Sequence, residues 1–466
     1  MKKRVCSILL ALGLVLFAST NLIACTWGNR DEILRLYNWE DYLAPGTIHD
    51  FEVWYRQETG KNIKVQSSGF STNEQMYTQI ASKKADFDLI VPSDYMVDRM
   101  RTEGLLQPLD FDIVYSDFDF VPMDPQSDIY LPDIVDIVDT SFDPNMEYSV
   151  PYLWGTVGIL YDPVRGPSEL ADIDSWEAIF GDQFAGRIYM QDSVTDAFGI
   201  GSIWANRADL QEVELNYGLN SPEHGAWVES VINDTSLDNV ERVREELVAQ
   251  RHNLLAYAVD DANERLATAS DTAGWLALVW SVQAGYAMSD NTDLRYIVPK
   301  EGSNTWIDTF AIPITARNTV AANYFLRFML DHDVAIANME YVGATTPVWS
   351  AYDEFGETLN DELQELQDDQ DADIDEIEFL QNYIYTLFPP EDVFSRVAAY
   401  RDLGERRHDI NLMWIQVKAG GGIDDSFGAG IWIVLGLLVV VVVGASTYRL
   451  WGDKVVSIFK RQKKIK

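Results

Sequence analysis

Short apolar runs alternate with amphipathic stretches over the first part of the chain. The runs predict strands, and stretches with apolar residues three or four positions apart predict helices. The predicted strands are 33–39, 63–66 and 87–91, and the predicted helices are 45–58, 74–83 and 95–103. This alternation predicts an α/β fold with a mainly parallel sheet that carries helices on both faces.

The pattern continues after residue 148, where residues 148–155 look like a crossover into a second lobe. The further predicted strands are 159–161, 187–190, 276–279 and 294–299, and the further predicted helices are 237–250 and 260–269. Residues 310–313 are predicted to return to the first lobe, which then adds a helix at 318–330. We therefore predict a first lobe of residues 31–142 and 307–352, and a second lobe of residues 143–306 and 353–420.

The N-terminal segment has the pattern of an export signal. A basic start is followed by an apolar run, which predicts a signal peptide over residues 1–24. The tetrapeptide that ends at Cys25 resembles the lipobox of bacterial lipoproteins, in which this cysteine is lipidated; an uncleaved signal anchor is the alternative. Since the other cysteine, Cys6, lies inside the signal, the exported part is predicted to have no disulfide.

The C-terminal segment predicts a membrane anchor. Three consecutive glycines at 420–422 predict a flexible linker over residues 421–426, and residues 427–448 are uncharged and long enough to cross a bilayer. The tail at 449–466 is strongly basic, so the positive-inside rule predicts that it is cytoplasmic and that the preceding lobes lie outside the cell membrane. A buried core helix is the alternative for 427–448.

The charge of the chain excludes some function classes. The formal net charge is −39 with 74 acidic and 35 basic residues, which argues strongly against nucleic-acid binding. An acidic surface can attract a cationic ligand, but it also serves solubility. The five histidines are scattered without metal-ligand spacing, and no phosphate loop or nucleophile motif is present, so we expect neither an enzyme nor a metal or other cofactor.

The acidic stretch at residues 353–378 needs its own interpretation. Its aspartates at 369, 371 and 373 have the spacing of an EF-hand calcium loop, but Ile374 and Leu380 occupy the positions that require glycine and glutamate. The stretch therefore predicts a solvated helical face.

Two loops at predicted strand ends combine aromatic and acidic residues. Trp39, Glu40 and Asp41 follow the first strand, and Ser93 and Tyr95 follow the strand at 87–91. Ligands of parallel sheets bind beyond the carboxyl ends of the strands. Aromatic rings attract cations and carboxylates neutralise them, so this combination suits an organic cation. A single Trp is more often a core residue and a single Asp a helix cap, but the joint pattern favours a ligand site.

Five segments in the same order resemble the spermidine/putrescine-binding proteins of bacterial ABC importers. They are residues 37–39, 71–77, 91–95, 148–155 and 306–313. The resemblance implies a two-lobed periplasmic-binding-protein fold of type II, with a hinge and a central cleft. It also implies that the chain captures a polyamine between its lobes and delivers it to an ABC permease.

The resemblance also implies a set of ligand-binding residues. In the first lobe these are Trp39, Glu40, Asp41, Ser93 and Tyr95; in the second lobe they are Asp192, Asp196 and Trp280; and near the return to the first lobe they are Trp306 and Asp308. The chain departs from the family at Glu40-Asp41, where Thr-Glu is frequent, at Asp196, where Glu is usual, and at Ala344, where an aromatic residue is common. Tyr400 and Arg401 lie near the position of a late polar ligand.

Two other functions remain open at this point. A membrane-tethered polyamine sensor would use the same site, but a tail of 18 residues would require a partner protein for signalling. A binding protein for another organic cation or for a sugar is also compatible, because the position of Ala344 lacks the family's aromatic ring.

Overall fold

A computed structural model describes residues 30–118, 129–258, 262–268, 270, 273–369 and 371–420. The predicted signal peptide, Cys25, the linker at 421–426, the membrane helix at 427–448 and the basic tail lie outside these residues. Within them, no helix has the length and apolar character that a membrane crossing requires.

The described residues contain eleven strands. Their bounds are β1 Ile33–Trp39, β2 Lys64–Phe70, β3 Leu89–Ile90, β4 Leu106–Gln107, β5 Ser149–Tyr161, β6 Ile188–Gln191, β7 Leu254–Ala258, β8 Leu276–Trp280, β9 Arg295–Ile297, β10 Ser303–Pro313 and β11 Val397–Ala398.

The helices surround these strands. The first lobe contains α1 Thr47–Thr59, α2 Asn73–Ala81, α3 Asp94–Thr102, α4 Phe111–Val114 and α5 Pro132–Ser141. The middle of the chain forms α6 Glu177–Phe180, α7 Val194–Ala205, α8 Arg207–Tyr217, α9 Pro222–Ile232, α10 Leu237–Arg251, α11 Ala262–Ala267 and α12 Ser281–Asp290. The last third forms α13 Thr319–Met329, α14 His332–Val342, α15 Trp349–Asp368, α16 Ile374–Leu387, α17 Glu391–Phe394 and α18 Arg407–Lys418.

The sheet consists of two parallel groups joined by two antiparallel strands. Its order is β2-β1-β3-β10-β5-β8-β6-β7, with β4 and β11 paired to β10 and β9 paired to β5. Strands β1, β2 and β3 are parallel, as are β6, β7 and β8, whereas β10 and β5 are antiparallel to each other and to the groups beside them. The predicted mainly parallel sheet is therefore correct for each group and wrong for the strands between them.

The two joining strands run through both lobes. Every residue of β5 and of β10 is buried, as expected for strands that are covered on both faces. Beside them, the backbone N–H of Trp154 donates to the carbonyl of Thr345 at 2.8 Å, so a third segment also passes between the lobes here. A hinge at these extended segments stays a prediction.

Most of the predicted elements are present, with small shifts at their ends. Strand β1 has the predicted bounds, and α10 extends the predicted helix by one residue. The crossover at 148–155 and the strand at 159–161 are instead one continuous strand, β5. The acidic stretch forms parts of α15 and α16, whose apolar residues Leu359, Leu380 and Leu387 pack against each other while most of the acidic side chains face solvent.

Candidate ligand-binding site

Asp308 lies at the centre of the predicted site. It belongs to β10 at a point where the pairing with β5 changes register between residues 308 and 309. Such bulges redirect side chains. The carboxylate is 7% exposed and accepts hydrogen bonds from the hydroxyls of Ser93, at 2.5 Å, and Tyr42, at 2.8 Å.

The surroundings of Asp308 fix its geometry. The amide of Asn73 donates to the Ser93 hydroxyl at 2.9 Å, and Tyr152 donates to the backbone carbonyl of Tyr42 at 2.8 Å. Burial raises the pKa of Asp308 to about 6, although the hydrogen bonds from Ser93 and Tyr42 act in the opposite direction. The first lobe therefore holds a buried acid that two neutral donors orient and do not neutralise.

Trp306 lies two residues before Asp308 on the same strand. The indole N–H donates to the carbonyl of Thr156 at 3.3 Å, and the ring covers Gly155 of the neighbouring strand. A Cβ at Gly155 would lie 2.6 Å from Cζ2 of Trp306 and would also overlap the hydroxyl of Ser281. Glycine is thus required at this position because the indole lies directly on the backbone.

Asp196 is the corresponding acid of the second lobe. It lies in the first turn of α7, where the hydroxyl of Ser193 accepts its backbone N–H at 3.3 Å, and it is 4% exposed. Burial raises the pKa of Asp196 to about 6, opposed by hydrogen bonds from Ser193 and Trp280. Trp280 ends β8, so the predicted aromatic residue and acid of this lobe are neighbours.

Tyr95 and Glu74 extend the first-lobe side of the site towards Asp196. The Tyr95 hydroxyl donates to Glu74 at 3.2 Å. Burial raises the pKa of Tyr95 well above its usual value, and the charges of Glu74 and Asp196 add to this effect. Glu74 also contributes to the raised pKa of Asp196. The acids of the two lobes therefore act on each other across the cleft.

One contact between the two predicted lobes is the hydrogen bond that the backbone N–H of Asp402 donates to Asp98 of α3 at 3.4 Å. Within the candidate site, Asp308, Asp196 and Trp306 are buried, whereas Tyr95 and Trp280 are partly exposed.

The three predicted ligand-binding residues of the loop after β1 differ in their burial. Trp39 is half-buried and packs against Phe70 with ring centroids 4.6 Å apart, and its indole nitrogen has no hydrogen-bond partner among the described residues. Glu40 and Asp41 are exposed, and Asp41 has a left-handed backbone with φ of 51°. Their ligand contacts stay predictions.

Asp192 has different contacts from the other predicted acids. The ammonium of Lys418 donates to its Oδ1 at 2.7 Å, and the indole N–H of Trp414 donates to the same oxygen at 3.2 Å. Both donors belong to α18. The structure thus places Asp192 in an ion pair within the second lobe, and its contact with a ligand stays a prediction.

Three further residues lie beside the candidate site and outside the predicted set, although Tyr400 lies near the position predicted for a late polar ligand. Tyr42 follows the acidic pair of the first loop and binds Asp308 directly. Asp94 and Tyr400 are buried, and each has a polar side-chain atom without a partner among the described residues. Asp94 lies inside the matching segment 91–95. Nothing in the local sequence distinguishes it from a helix cap, so the sequence gives no reason to select it as a ligand-binding residue.

The chemistry of this arrangement is that of a cation site. Among the described residues, Asp94, Asp196 and Asp308 form no ion pair with a lysine, arginine or histidine, unlike Asp192 and Asp88. Buried carboxylates without a cation are costly, and aromatic walls stabilise a cation that enters. Groups of His, Cys, Asp or Glu that could hold a metal ion are absent from the part of the chain that the structure describes.

Comparison with known proteins supports this interpretation of the fold. Residues 48–368 match the family described as bacterial extracellular solute-binding protein. The spermidine/putrescine-binding periplasmic protein of Salmonella typhimurium is 30% identical over 321 residues, which cover 68% of this chain and 78% of that protein. The putrescine-binding periplasmic protein of Escherichia coli is 29% identical over 73% of this chain and 86% of its own length.

Solved structures agree. A spermidine/putrescine ABC transporter substrate-binding protein from Streptococcus pneumoniae superposes with a TM-score of 0.60 at 25% identity, covering 84% of this chain and 99% of that one. A putative spermidine/putrescine ABC transporter from Listeria monocytogenes superposes with a TM-score of 0.60 at 30% identity, covering 83% and 99%. The chain belongs to the bacterial extracellular solute-binding protein family, and its fold is the two-lobed fold of periplasmic binding proteins.

Proposed function

We propose that this member of the family captures polyamines in the cleft between its lobes and delivers them to an ABC permease. The observation that carries the proposal is Asp308, a buried carboxylate that two hydroxyls orient, that lies beside Trp306 and that no cation of the described chain neutralises. The names of the similar proteins, which bind spermidine or putrescine and serve ABC transporters, support the same conclusion.

A polyamine matches this site in both of its components. Its ammonium groups need carboxylates at intervals, which Asp308 and Asp196 supply from opposite lobes. Its methylene chain needs apolar walls, which Trp306, Trp280 and Tyr95 supply. Each desolvated contact of an ammonium group with an aromatic face contributes about 0.5–2 kcal/mol. A neutral sugar fits less well, because it would leave both buried carboxylates without a counter-ion.

Ligand entry requires the lobes to separate. Since Asp308 and Asp196 are buried between them, we expect an open form in which the joining strands bend near β5 and β10. The ligand then stabilises the closed form by bridging acids from the two lobes.

The location of the protein follows from the same proposal. The similar proteins are named as periplasmic, which supports an extracytoplasmic binding domain. Attachment through the lipid at Cys25 and through the helix at 427–448, with a cytoplasmic tail, stays a prediction. The lobe boundaries also stay predictions.

Isothermal titration calorimetry on the purified full-length chain tests the function. Putrescine, spermidine and spermine should each be titrated, with glucose as a neutral control. We expect heat and a rise in melting temperature with one or more polyamines and neither with glucose. Absence of both signals for all three polyamines would overturn the proposed function.

A further inference from the structure

Asp94 is a buried acid that the predicted ligand set does not include. It is the first residue of α3, directly after Ser93, and it is 1% exposed. Its Oδ1 accepts the backbone N–H of Tyr95 at 2.7 Å, whereas its Oδ2 has no hydrogen-bond partner among the described residues. The backbone N–H groups of Tyr95 and Ile307 both act to lower the pKa of this carboxyl.

The pKa of Asp94 depends on two other acids of the candidate site, Asp308 and Asp196. Burial raises the pKa of Asp94 well above its usual value, and the charges of Asp308 and Asp196 raise it further. The charges of two further carboxylates, one from each predicted lobe, thus act on Asp94, and none of the three forms an ion pair with a cation among the described residues.

Tyr400 brings a second unsatisfied group to the same place. It is 5% exposed, and its hydroxyl has no partner in the described part of the chain. Asp196 and Asp94 are the charged groups that act on this hydroxyl. The ring packs on Gly199, three residues after Asp196 in α7, where a Cβ would lie 2.5 Å from the hydroxyl oxygen. Asp94 and Tyr400 thus each have a buried polar atom that lacks a hydrogen-bond partner among the described residues.

We propose that Asp94 and Tyr400 form an inner subsite for an ammonium group, so that the cleft selects polyamines with three ammonium groups over diamines. This inference rests on the proposed function. Asp308, Asp196 and Asp94 would each receive one ammonium group of a triamine. A diamine would leave one buried carboxylate unpaired or protonated, which lowers its affinity. The phenol oxygen of Tyr400 can accept a hydrogen bond from the ammonium group, which has three donors.

A purely structural role explains Asp94 less well. Its one hydrogen bond does not require a carboxylate, because the carbonyl oxygen of an asparagine could accept the N–H of Tyr95 equally well. A ligand cation would make use of both the second oxygen and the negative charge.

The test is the ratio of two affinities, measured by calorimetry on the full-length chain. Spermidine has three ammonium groups and putrescine has two. We expect the unmodified chain to bind spermidine more tightly. Asp94→Asn should weaken spermidine binding roughly tenfold to a hundredfold, the loss of one charged hydrogen bond, and should change putrescine binding little.

A matched control is Asp143→Asn, which removes the charge of another fully buried acid. Asp143 accepts a hydrogen bond from the hydroxyl of Ser149, the first residue of β5. This variant should leave the spermidine-to-putrescine ratio unchanged. If Asp94→Asn weakens both ligands equally or changes neither, the inner subsite is wrong while polyamine binding stands. If the unmodified chain binds neither ligand, the proposed function itself is wrong.

Tyr400→Phe provides an independent variant in case Asp94→Asn does not fold. It keeps the ring that packs on Gly199 and removes only the hydroxyl. We expect it to weaken spermidine more than putrescine. An unchanged ratio in a folded Tyr400→Phe protein would remove the hydroxyl from the subsite and contradict the proposal.

Discussion

The two lobes present similar acids to the cleft but treat them differently. In the first lobe, Asp308 receives two hydroxyl donors and no cation. In the second lobe, Asp192 receives the ammonium of Lys418 and the indole N–H of Trp414. An acid near a strand end therefore becomes available to a cationic ligand only where the fold provides neutral donors in place of a lysine.

The second lobe has its own unneutralised acid four residues further along. Asp196 accepts hydrogen bonds from Ser193 and Trp280, and it is buried to the same degree as Asp308. Asp192 joins α18 to the lobe, whereas Asp196 forms no ion pair among the described residues. The comparison between Asp308 and Asp192 can be tested directly, because asparagine has nearly the same shape as aspartate.

Asp308→Asn should have the largest effect. It removes the charge from the pair that a ligand ammonium would form with Asp308, which costs about 2–5 kcal/mol of binding free energy. Spermidine affinity should fall by roughly thirtyfold or more, measured by calorimetry. The melting temperature without ligand should stay the same or rise, because a buried charge that lacks a counter-ion disappears. Retention of full affinity would exclude Asp308 from the site.

Acidification should have the next largest effect, and it should act oppositely on binding and on stability. Burial raises the pKa of Asp308 and of Asp196 to about 6, compared with about 3.9 in an unfolded chain. An ammonium ion requires the ionised acid, so affinity should fall about tenfold per pH unit below 6 for each carboxylate that must lose its proton. Between about pH 6 and 4 the folded chain binds more protons than the unfolded chain, so the ligand-free protein becomes more stable as the pH falls.

Calorimetry at pH 7, 6 and 5, with melting curves of the ligand-free chain, measures both effects. Asp143 also has a pKa raised to about 6, so part of the stability change comes from outside the cleft. Protonation of Asp143 should not change the affinity, because this residue lies outside the candidate site. Equal affinity at pH 7 and pH 5 would mean that no buried carboxylate pairs with the ligand.

Gly155→Ala should produce a smaller loss through Trp306. Its Cβ would lie 2.6 Å from the indole and displace a wall of the cleft. Loss of one contact between an ammonium group and an aromatic face costs about 0.5–2 kcal/mol, so affinity should fall roughly twofold to thirtyfold. The melting temperature should also fall, because overpacking costs about 1–3 kcal/mol.

Gly158→Ala is the matched control on the same strand. Its Cβ would lie 2.6 Å from Tyr296, and no residue of the candidate site is among its close neighbours. It should destabilise the chain to a similar extent and leave the affinity unchanged. A similar affinity loss in both variants would show that general destabilisation, and not Trp306, is responsible.

These glycines also explain where prediction from the sequence succeeds and fails. The bounds of strand β1 agree with the prediction, because apolar and aromatic residues outnumber Arg35 and Asn38 along it and no glycine or proline breaks it. Strand β5 was divided into a crossover and a short strand, because Gly155 and Gly158 weaken a strand pattern. The close approach of Trp306 and Tyr296, which requires these glycines, involves residues far along the chain.

The site shows the same limit. A family resemblance named Asp308 and Asp196 from short segments. The resemblance also named Asp192, which forms an ion pair with Lys418 in the structure. No local pattern reveals this pair, because Lys418 lies 226 residues away in sequence. Whether an acid is neutralised depends on which element the fold places beside it, and α18 reaches Asp192 only in the folded lobe.

Asp192→Asn should have the smallest effect on spermidine affinity and provides the sharpest test of the comparison. The ion pair with Lys418 is partly exposed, so its removal should change stability by about 1 kcal/mol or less, and binding by less than that.

Lys418→Met removes the other partner. If a ligand ammonium replaced Lys418 at Asp192, Asp192→Asn would weaken binding and Lys418→Met would tighten it, because the competing cation would be gone. We expect neither change by calorimetry. Opposite shifts in the two variants would mean that Asp192 passes from Lys418 to the ligand, and that the second lobe offers two acids to the cleft.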